Sequence, residues 1–203
     1  MQNIITELWE YIQLAGFVGP PLVAATIVLW FSIGVRHASL VRGSRRSARV
    51  LIQRFRSGEQ HAPKGIVDSA ASVGIELQEK HPRDLRRFLD DAFFDYYQSI
   101  KKYSTLITVI VAVAPLLGLL GTVAGMIETF ESLGDMTLFS QSGGIAGGIS
   151  QALLTTQMGL AVAIPGLLVK GFLDRRQKQI EMELAQIKDI LCAEQKHHAQ
   201  GAF

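Results

Sequence analysis

Three long apolar runs limit what this 203-residue chain can fold into. Residues 17–35, 106–127 and 145–169 are runs of 19, 22 and 25 residues that contain no charged residue and no histidine. As α-helices that rise about 1.5 Å per residue, all three are long enough to cross a hydrocarbon layer of about 30 Å. Little sequence then remains for a large water-soluble core, so a soluble enzyme is the class that fits least well. The sequence predicts an all-α integral membrane protein with three transmembrane helices.

The positive charges are unevenly distributed along the chain. Of the 20 Lys and Arg residues, 14 lie in residues 36–105 and 6 in residues 170–203. In residues 1–16 and 128–145, all the charged residues are acidic. Because cationic flanks stay on the cytoplasmic side, the N-terminus is predicted to be periplasmic and the C-terminus cytoplasmic, in the inner membrane of a bacterial cell. The first run has no basic flank before it, so we expect a retained anchor rather than a cleaved signal.

These features divide the chain into seven predicted segments. They are a periplasmic N-terminal amphipathic segment (1–16), a first span (17–35), a cytoplasmic helical loop (36–105), a second span (106–127), a periplasmic loop (128–145), a third span (146–172) and a cytoplasmic C-terminal helix (173–203). Apolar spacing in the cytoplasmic loop predicts two or three helices, at 36–56, 65–80 and 84–103, the last running into the second span.

The third span is predicted to continue as one long helix into the cytoplasm. Apolar residues follow the span in steps of seven, four, three and four residues, which is the spacing of a short coiled-coil seam: Leu173, Ile180, Leu184, Ile187 and Leu191. A helix of about 45–50 residues would extend some 70 Å. Such a seam needs partners, and one short cytoplasmic stretch hardly supplies them all, which favours self-association.

Catalytic and cofactor motifs are missing from the sequence. It contains no phosphate-binding loop with its lysine, no metalloprotease motif, and a single cysteine, Cys192, without a Cys/His cluster of zinc spacing. We therefore expect no enzyme activity, no cofactor and no metal site. The arginine pairs at 45–46 and 86–87 could suggest nucleic acid, but acidic neighbours and a membrane location favour cytoplasmic retention and lipid headgroups.

The second and third spans differ from inert anchors because they contain proline, glycine and polar residues. The candidates for helix bending and packing are Pro115, Gly118, Gly121, Gly125, Gly159 and Pro165, and the candidates for an ion pathway are Thr122, Thr156, Gln151 and Thr155. Packing in a helical bundle and lining of a pore both remain open for such residues. If the third span begins at Gln151, Thr122 and Thr156 both lie five residues inside the outer boundary, roughly 8 Å deep.

No apolar run contains Asp, Glu, Lys, Arg or His. A proton path through a membrane normally needs a titratable group. If the protein conducts protons, the group that carries them must therefore come from another chain, a membrane protein with an intramembrane carboxylate.

Residues 114–123 (APLLGLLGTV), 148–160 (GISQALLTTQMGL) and 163–165 (AIP) resemble the MotA/TolQ/ExbB proton-channel family. The resemblance covers about residues 101–179. Three spans with an outside N-terminus resemble the ExbB and TolQ branches rather than the four-span MotA branch, and the motif is most similar to ExbB.

This resemblance implies a homopentamer around the single spans of two ExbD-like partners, each of which brings an intramembrane aspartate. It also implies that the complex is a motor that uses the proton motive force to energise a TonB-like protein. Thr122 and Thr156 match the family's pore threonines, and Pro115 and Pro165 match its helix-bending prolines. Gln151 departs from the pattern, because ExbB proteins usually have Glu there. The alternatives are a TolQ-like subunit of the Tol–Pal envelope system and a membrane scaffold that conducts nothing.

Overall fold

The computed structural model of the chain describes residues 11–43, 47–57, 65–80, 84–134 and 142–200, and the regular structure in these ranges is helical. A 3₁₀ turn at Gly16–Val18 precedes the α-helices. The α-helices are α1 (Gly19–Ser39), α2 (Ala48–Arg56), α3 (Ile66–Lys80), α4 (Leu85–Lys101), α5 (Ser104–Gly134) and α6 (Ser142–Gln200).

Three helices, α1, α5 and α6, contain the apolar runs, and each has a stretch long and apolar enough to cross a membrane. The predicted all-α class with three membrane-length helices is therefore confirmed. The helices are longer than the runs: α5 continues to Gly134 and α6 begins at Ser142, so part of the predicted loop 128–145 is helical. Residues 135–141 of that loop and residues 1–10 of the predicted amphipathic segment lie outside the described residues.

The chain divides into two compact units. Unit 1 comprises residues 1–33 and 105–170, and unit 2 comprises residues 34–104 and 171–203. In unit 1, helices α1, α5 and α6 pack together around a small cluster of buried apolar side chains. The fully buried members are Val18, Leu22, Ala114 and Ala163, and Leu117, Met158 and Val162 pack against them.

Unit 2 is built on the C-terminal part of α6. The five residues of the predicted seam are completely buried, at 0% exposure, and helices α2, α3 and α4 supply further buried apolar residues of the same unit. At Gly74 of α3, an added Cβ would lie 2.6 Å from Leu191 and 3.5 Å from Leu89 of α4, so three helices meet closely there.

The expectation that this seam needs partner chains is wrong. Amphipathic helices from residues 48–101 bring enough apolar surface to bury the seam within one chain. The seam therefore gives no support to self-association. The spacing identified the right residues, but the number of intrachain helices that cover them was underestimated.

In unit 2, α4 and α6 run antiparallel. Asp90 accepts a hydrogen bond from Lys188 at 2.6 Å. Burial raises the pKa of Tyr97. The charge of Lys188 acts to lower this pKa and that of Glu181 to raise it, so both groups lie near Tyr97. Burial likewise raises the pKa of Cys192, and here the charge of Arg86 acts in the opposite direction. From residue 86 to residue 97 of α4, the neighbouring residues of α6 therefore run in the opposite direction, from 192 to 181.

A buried ion pair joins α1 to α6 in unit 2. The Arg36 side chain is 1% exposed, and its Nη2 donates to Asp174 Oδ1 at 2.7 Å and to Gln177 Oε1. Asp174 is 31% exposed and keeps part of its hydration, but without it the buried guanidinium of Arg36 would lose its carboxylate partner. The contact therefore specifies which turn of α6 lies beside the end of α1.

A short break separates α4 from α5, where the sequence predicted a helix running directly into the second span. Tyr103 has a φ of 64°, a left-handed conformation that interrupts the helix. Lys102 N–H donates to Gln98 O at 3.1 Å and closes α4, and the Lys102 ammonium lies 5.4 Å from the centre of the Tyr103 ring.

Replacement of Leu184 by Ala tests the buried seam. Because Leu184 is 0% exposed, we expect Leu184→Ala to lower the free energy of unfolding of the chain in detergent by about 2–5 kcal/mol. Met182, two residues away and 65% exposed, is the control, and Met182→Ala should change it by less than about 0.5 kcal/mol. Equal effects of the two variants in denaturant titrations would show that the seam is not covered as described.

Candidate functional site

Glycines bring α5 and α6 into close backbone contact. A Cβ added at Gly118 would lie 2.9 Å from Thr155 O, and one added at Gly125 would lie 2.8 Å from Ala152 N. A Cβ at Gly121 would overlap the Thr155 side chain. No larger residue fits these positions without a shift, so the glycine face of α5 is the surface against which α6 packs.

The surface of α6 that faces α5 also has glycines at the points of contact. A Cβ at Gly159 would lie 2.7 Å from Ala114 O and 3.1 Å from Gly118 Cα. Near the other end of the interface, a Cβ at Gly148 would lie 2.6 Å from Gly125 O and would overlap Thr129 Oγ1. Small residues on both helices therefore keep the antiparallel pair close over several turns.

Beside this interface lies an open groove of about 540 Å³ that both helices line. Thr122 and Met126 come from α5, and the other lining residues come from α6: Ala152, Leu153, Thr156, Gln157 and Leu160. The structure thus places Thr122 and Thr156, the two threonines expected at equal depth, on one groove. Apart from their hydroxyl groups and the Gln157 amide, the side chains of the groove are apolar.

Both groove threonines use their hydrogen within their own helix. Thr122 Oγ1 donates to Leu119 O at 2.7 Å, and Thr156 Oγ1 donates to Ala152 O at 3.3 Å. A hydroxyl has one donor hydrogen and two acceptor lone pairs, so these two oxygens can still accept hydrogen bonds. The groove therefore presents acceptors to whatever enters it.

Thr155 and Gln151 lie outside the lining of this groove. Thr155 is completely buried against Gly121, and its hydroxyl donates to Gln151 O at 3.0 Å and to Ala152 O at 3.1 Å. The Gln151 side chain lies against Gly16, in the space that a Cβ would occupy. Gly16 has a φ of 59°, so both its conformation and its contact with Gln151 require glycine.

The helices continue through both prolines. Pro115 lies inside α5 and Pro165 inside α6. Each ring removes one backbone N–H, which frees the carbonyl group of Val111 and of Ala161 respectively. Next to Pro165, Gly166 lies against Leu29 of α1 and Val111 of α5, so the three helices of unit 1 are close at this level.

The sequence interpretation missed the contact between Gly148 and Thr129. Gly121, Gly125 and Thr129 are spaced by four residues, so Thr129 extends the small-residue face by one helical turn, and this spacing was the available signal. Thr129 is buried, and its hydroxyl donates to Gly125 O at 2.8 Å. In the described residues, no group of three or more His, Cys, Asp or Glu side chains is placed to hold a metal ion.

Residues 56–186 match the sequence model of the MotA/TolQ/ExbB proton channel family. The chain belongs to the MotA/TolQ/ExbB proton channel family. The match begins at the end of α2 and ends in the distal part of α6, so it covers more of unit 2 than the resemblance at residues 101–179 suggested.

Individual relatives agree with this assignment. The chain is 32% identical to the putative biopolymer transport protein ExbB-like 3 of Synechocystis sp., over 77% of this chain and 76% of that protein. It is 30% identical to ExbB-like 1 of the same organism, over 74% of this chain and 60% of that protein. The biopolymer transport protein ExbB of Neisseria gonorrhoeae is 39% identical over 39% of this chain and 36% of its own length.

Two adjacent glycines provide a test of the α5–α6 interface. Gly148→Ala should destabilise the protein by about 1–3 kcal/mol, because its Cβ would meet Thr129 and Gly125. Gly147 has nothing within 4 Å of an added Cβ, so Gly147→Ala should be neutral or stabilise the helix by up to about 1 kcal/mol. Thermal unfolding in the same detergent measures both, and a ranking in the opposite order would contradict the packing described.

Proposed function

We propose that this chain is the ring-forming, ExbB-like subunit of an ion-driven motor in the bacterial inner membrane, which energises TonB-dependent outer-membrane transport together with an ExbD-like partner. The observation that carries the proposal is the groove that both Thr122 and Thr156 line, in a chain of a proton channel family. The chain's relatives are named biopolymer transport proteins, which agrees with this class of function.

The partner's contribution follows from what the spans lack. The three apolar runs contain no residue that titrates near neutral pH, so the groove cannot relay a proton by itself. A carboxyl group on a single-span partner would supply the missing titratable group. In the proposed complex, an aspartate of the ExbD-like chain lies beside Thr122 and Thr156.

The hydroxyl geometry gives each protonation state of that carboxyl group a different fit. A protonated carboxyl group has a hydrogen to donate, and the oxygens of Thr122 and Thr156 are available as acceptors. An ionised carboxylate only accepts, so it needs the hydroxyl hydrogens to rotate away from Leu119 O and Ala152 O. Each exchange replaces one hydrogen bond with another, and the two differ in free energy by about 1 kcal/mol.

The membrane potential supplies enough energy to drive such a cycle. Moving one charge across 100 mV is worth about 2.3 kcal/mol, which exceeds the cost of rearranging a hydroxyl hydrogen bond. Alternate protonation and deprotonation would break and remake the contacts with the two threonines. The partner spans would then step or rotate inside a ring of ExbB-like copies, with five copies as the family resemblance implies.

In this proposal the other candidate residues support the groove. Thr155 fixes the distance between α5 and α6 through Gly121, and Gln151 holds the turn at Gly16, which leaves neither side chain in the groove lining. Pro115 and Pro165 bend the helices in which they lie. The chain is oriented with its N-terminus in the periplasm and unit 2 in the cytoplasm, as the clustering of its cations favours.

Two other functions make different predictions. A TolQ-like subunit would use the same groove for the Tol–Pal system, and deletion phenotypes would separate the two clients: loss of TonB-dependent uptake against a defect in envelope constriction. A membrane scaffold that conducts nothing would use Thr122 and Thr156 for packing alone. In that case their loss would change stability and leave ion flux unchanged.

Ion flux into liposomes tests the motor proposal. Vesicles containing this chain, with and without the ExbD-like partner, are loaded with a pH-sensitive dye, and Na⁺ substitution identifies the ion. Thr156→Val removes the groove hydroxyl at nearly constant volume, and we expect partner-dependent flux to fall roughly tenfold or more, since a hydrogen bond to a charged group is worth about 1.5–3 kcal/mol.

Thr26→Val is the matched control. Thr26 is half-buried in α1, its hydroxyl also donates to its own helix, at 2.8 Å to Leu22 O, and it does not line the groove. Flux should be unchanged in Thr26→Val, and the complexes formed by Thr26→Val and Thr156→Val should have the same mass. Equal flux from the chain alone would contradict the need for a partner carboxyl group, and unchanged flux in Thr156→Val would refute the groove as the ion path.

A further inference from the structure

The end of unit 2 where the chain enters its apolar helices is strongly cationic. Two lysines, Lys101 and Lys102, stand at the end of α4, and Arg176 lies on α6 shortly after the third apolar run. The Arg36–Asp174 pair places the end of α1 at the same level. Further cations on α6, Arg175 and Lys178, are exposed there.

A groove of about 430 Å³ opens within this cationic end. On one side it is lined by Val41, Arg42 and Gly43, which follow α1, and on the other by Arg176, Gln179 and Ile180 of α6. Two backbone hydrogen bonds hold the first side in place: Ile66 N–H donates to Val41 O at 3.1 Å and Val67 N–H to Arg42 O at 3.3 Å. The groove is therefore part of the folded unit.

Two carboxylates lie near the groove: Glu183, and the buried Asp68, which lies against Gly43. Arg42 Nε donates to Glu183 Oε2 at 2.6 Å, and Gln179 Nε2 lies 3.4 Å from the other oxygen of the same carboxylate, so Glu183 is already engaged. Arg176 forms no hydrogen bond or ion pair with any residue in the described part of the chain, although it lines the groove and is only half-exposed. Its planar guanidinium can bind two oxygens of one phosphate group.

Apolar side chains border the groove. Phe172 is 62% exposed and precedes Arg176 by four residues, so both lie on the same face of α6. Val41, which lines the groove itself, is 47% exposed. Along α6 an exposed aromatic ring is thus followed, one turn further from the apolar run, by an arginine that has no partner among the described residues. A phospholipid presents the same order, with acyl chains followed by a phosphodiester.

We propose that this groove binds the phosphodiester of an anionic phospholipid, with Arg176 as its main ligand, the Gln179 amide beside it and Phe172 against the first carbons of the acyl chains. The proposal concerns unit 2 and does not rest on the proposed ion pathway. The sequence favoured lipid headgroups for Arg86 and Arg87. The charge of Arg86 acts on Cys192, which lies 16 residues, or about 24 Å along α6, from Arg176, so this arginine pair is not part of the site.

Adjacent arginines provide the test. The full chain, purified in detergent, is titrated with dioctanoyl phosphatidylglycerol, and bound lipid is counted by native mass spectrometry. Arg176→Gln should weaken binding roughly tenfold or more, because it removes a charge-assisted contact. Arg175→Gln makes the same change of charge one residue away, outside the groove lining, and should weaken binding less than about threefold. Arg176→Lys should retain part of the affinity as a point charge.

The source of the phosphate is decided by further probes. Inorganic phosphate and glycerophosphoglycerol, which lack acyl chains, should bind at least about tenfold more weakly than the lipid, and Phe172→Ala should weaken only the lipid. Equal losses in Arg175→Gln and Arg176→Gln would show a diffuse cationic surface and overturn the site. Equal binding of glycerophosphoglycerol would overturn the lipid assignment.

A measurement on the unsubstituted protein tests the proposal even if one of the variants fails to fold. A photoactivatable phosphatidylglycerol should label residues 41–43 and 172–179 in preference to the rest of unit 2. Labelling concentrated on α4 near residues 86 and 87, or spread evenly over the cationic residues, would contradict the proposal.

Discussion

The close approach of the α5 and α6 backbones is the contact on which the membrane part of this protein depends. Between apolar helices in lipid there is no hydrophobic gain from association, so packing has to supply the attraction. Gly118, Gly125 and Gly159 allow it, because each faces backbone atoms of the other helix at distances that a side chain would prevent. Thr122 and Thr156 share one groove only while these helices stay this close.

The two units handle polar groups in different ways. In unit 1 the hydroxyl groups bond within their own helix, as Ser32 Oγ does to Val28 O at 2.7 Å, which removes most of the cost of placing them in an apolar environment. Unit 2 also has ion pairs between segments distant in sequence, with Arg36 and Arg42 bound to carboxylates on α6. Shape therefore specifies the packing of α5 and α6 in unit 1, whereas in unit 2 charge adds to the specificity of the contacts.

Local patterns predicted the helices well and the shared depth of Thr122 and Thr156, whereas other contacts between distant residues could not be predicted. The steps from Leu173 to Leu191 identified a buried stripe, because helical periodicity is a property of a few neighbouring residues. What covers the stripe depends on helices about a hundred residues away, and that interpretation was wrong. Gln151 was judged by its residue type alone, since its contact with Gly16 joins residues 135 positions apart and leaves no trace in local spacing.

The position of the seam at the end of the chain has a consequence for biogenesis. Helices α2, α3 and α4 leave the ribosome before the residues that complete their core, from Leu173 to Leu191. Until those residues are made, the apolar faces of the three helices lack the surface that α6 supplies, and incomplete chains of this kind are prone to aggregation. Folding of unit 2 is thereby delayed until the third apolar helix has been synthesised, and a nascent chain that stops short of Leu191 cannot complete this core.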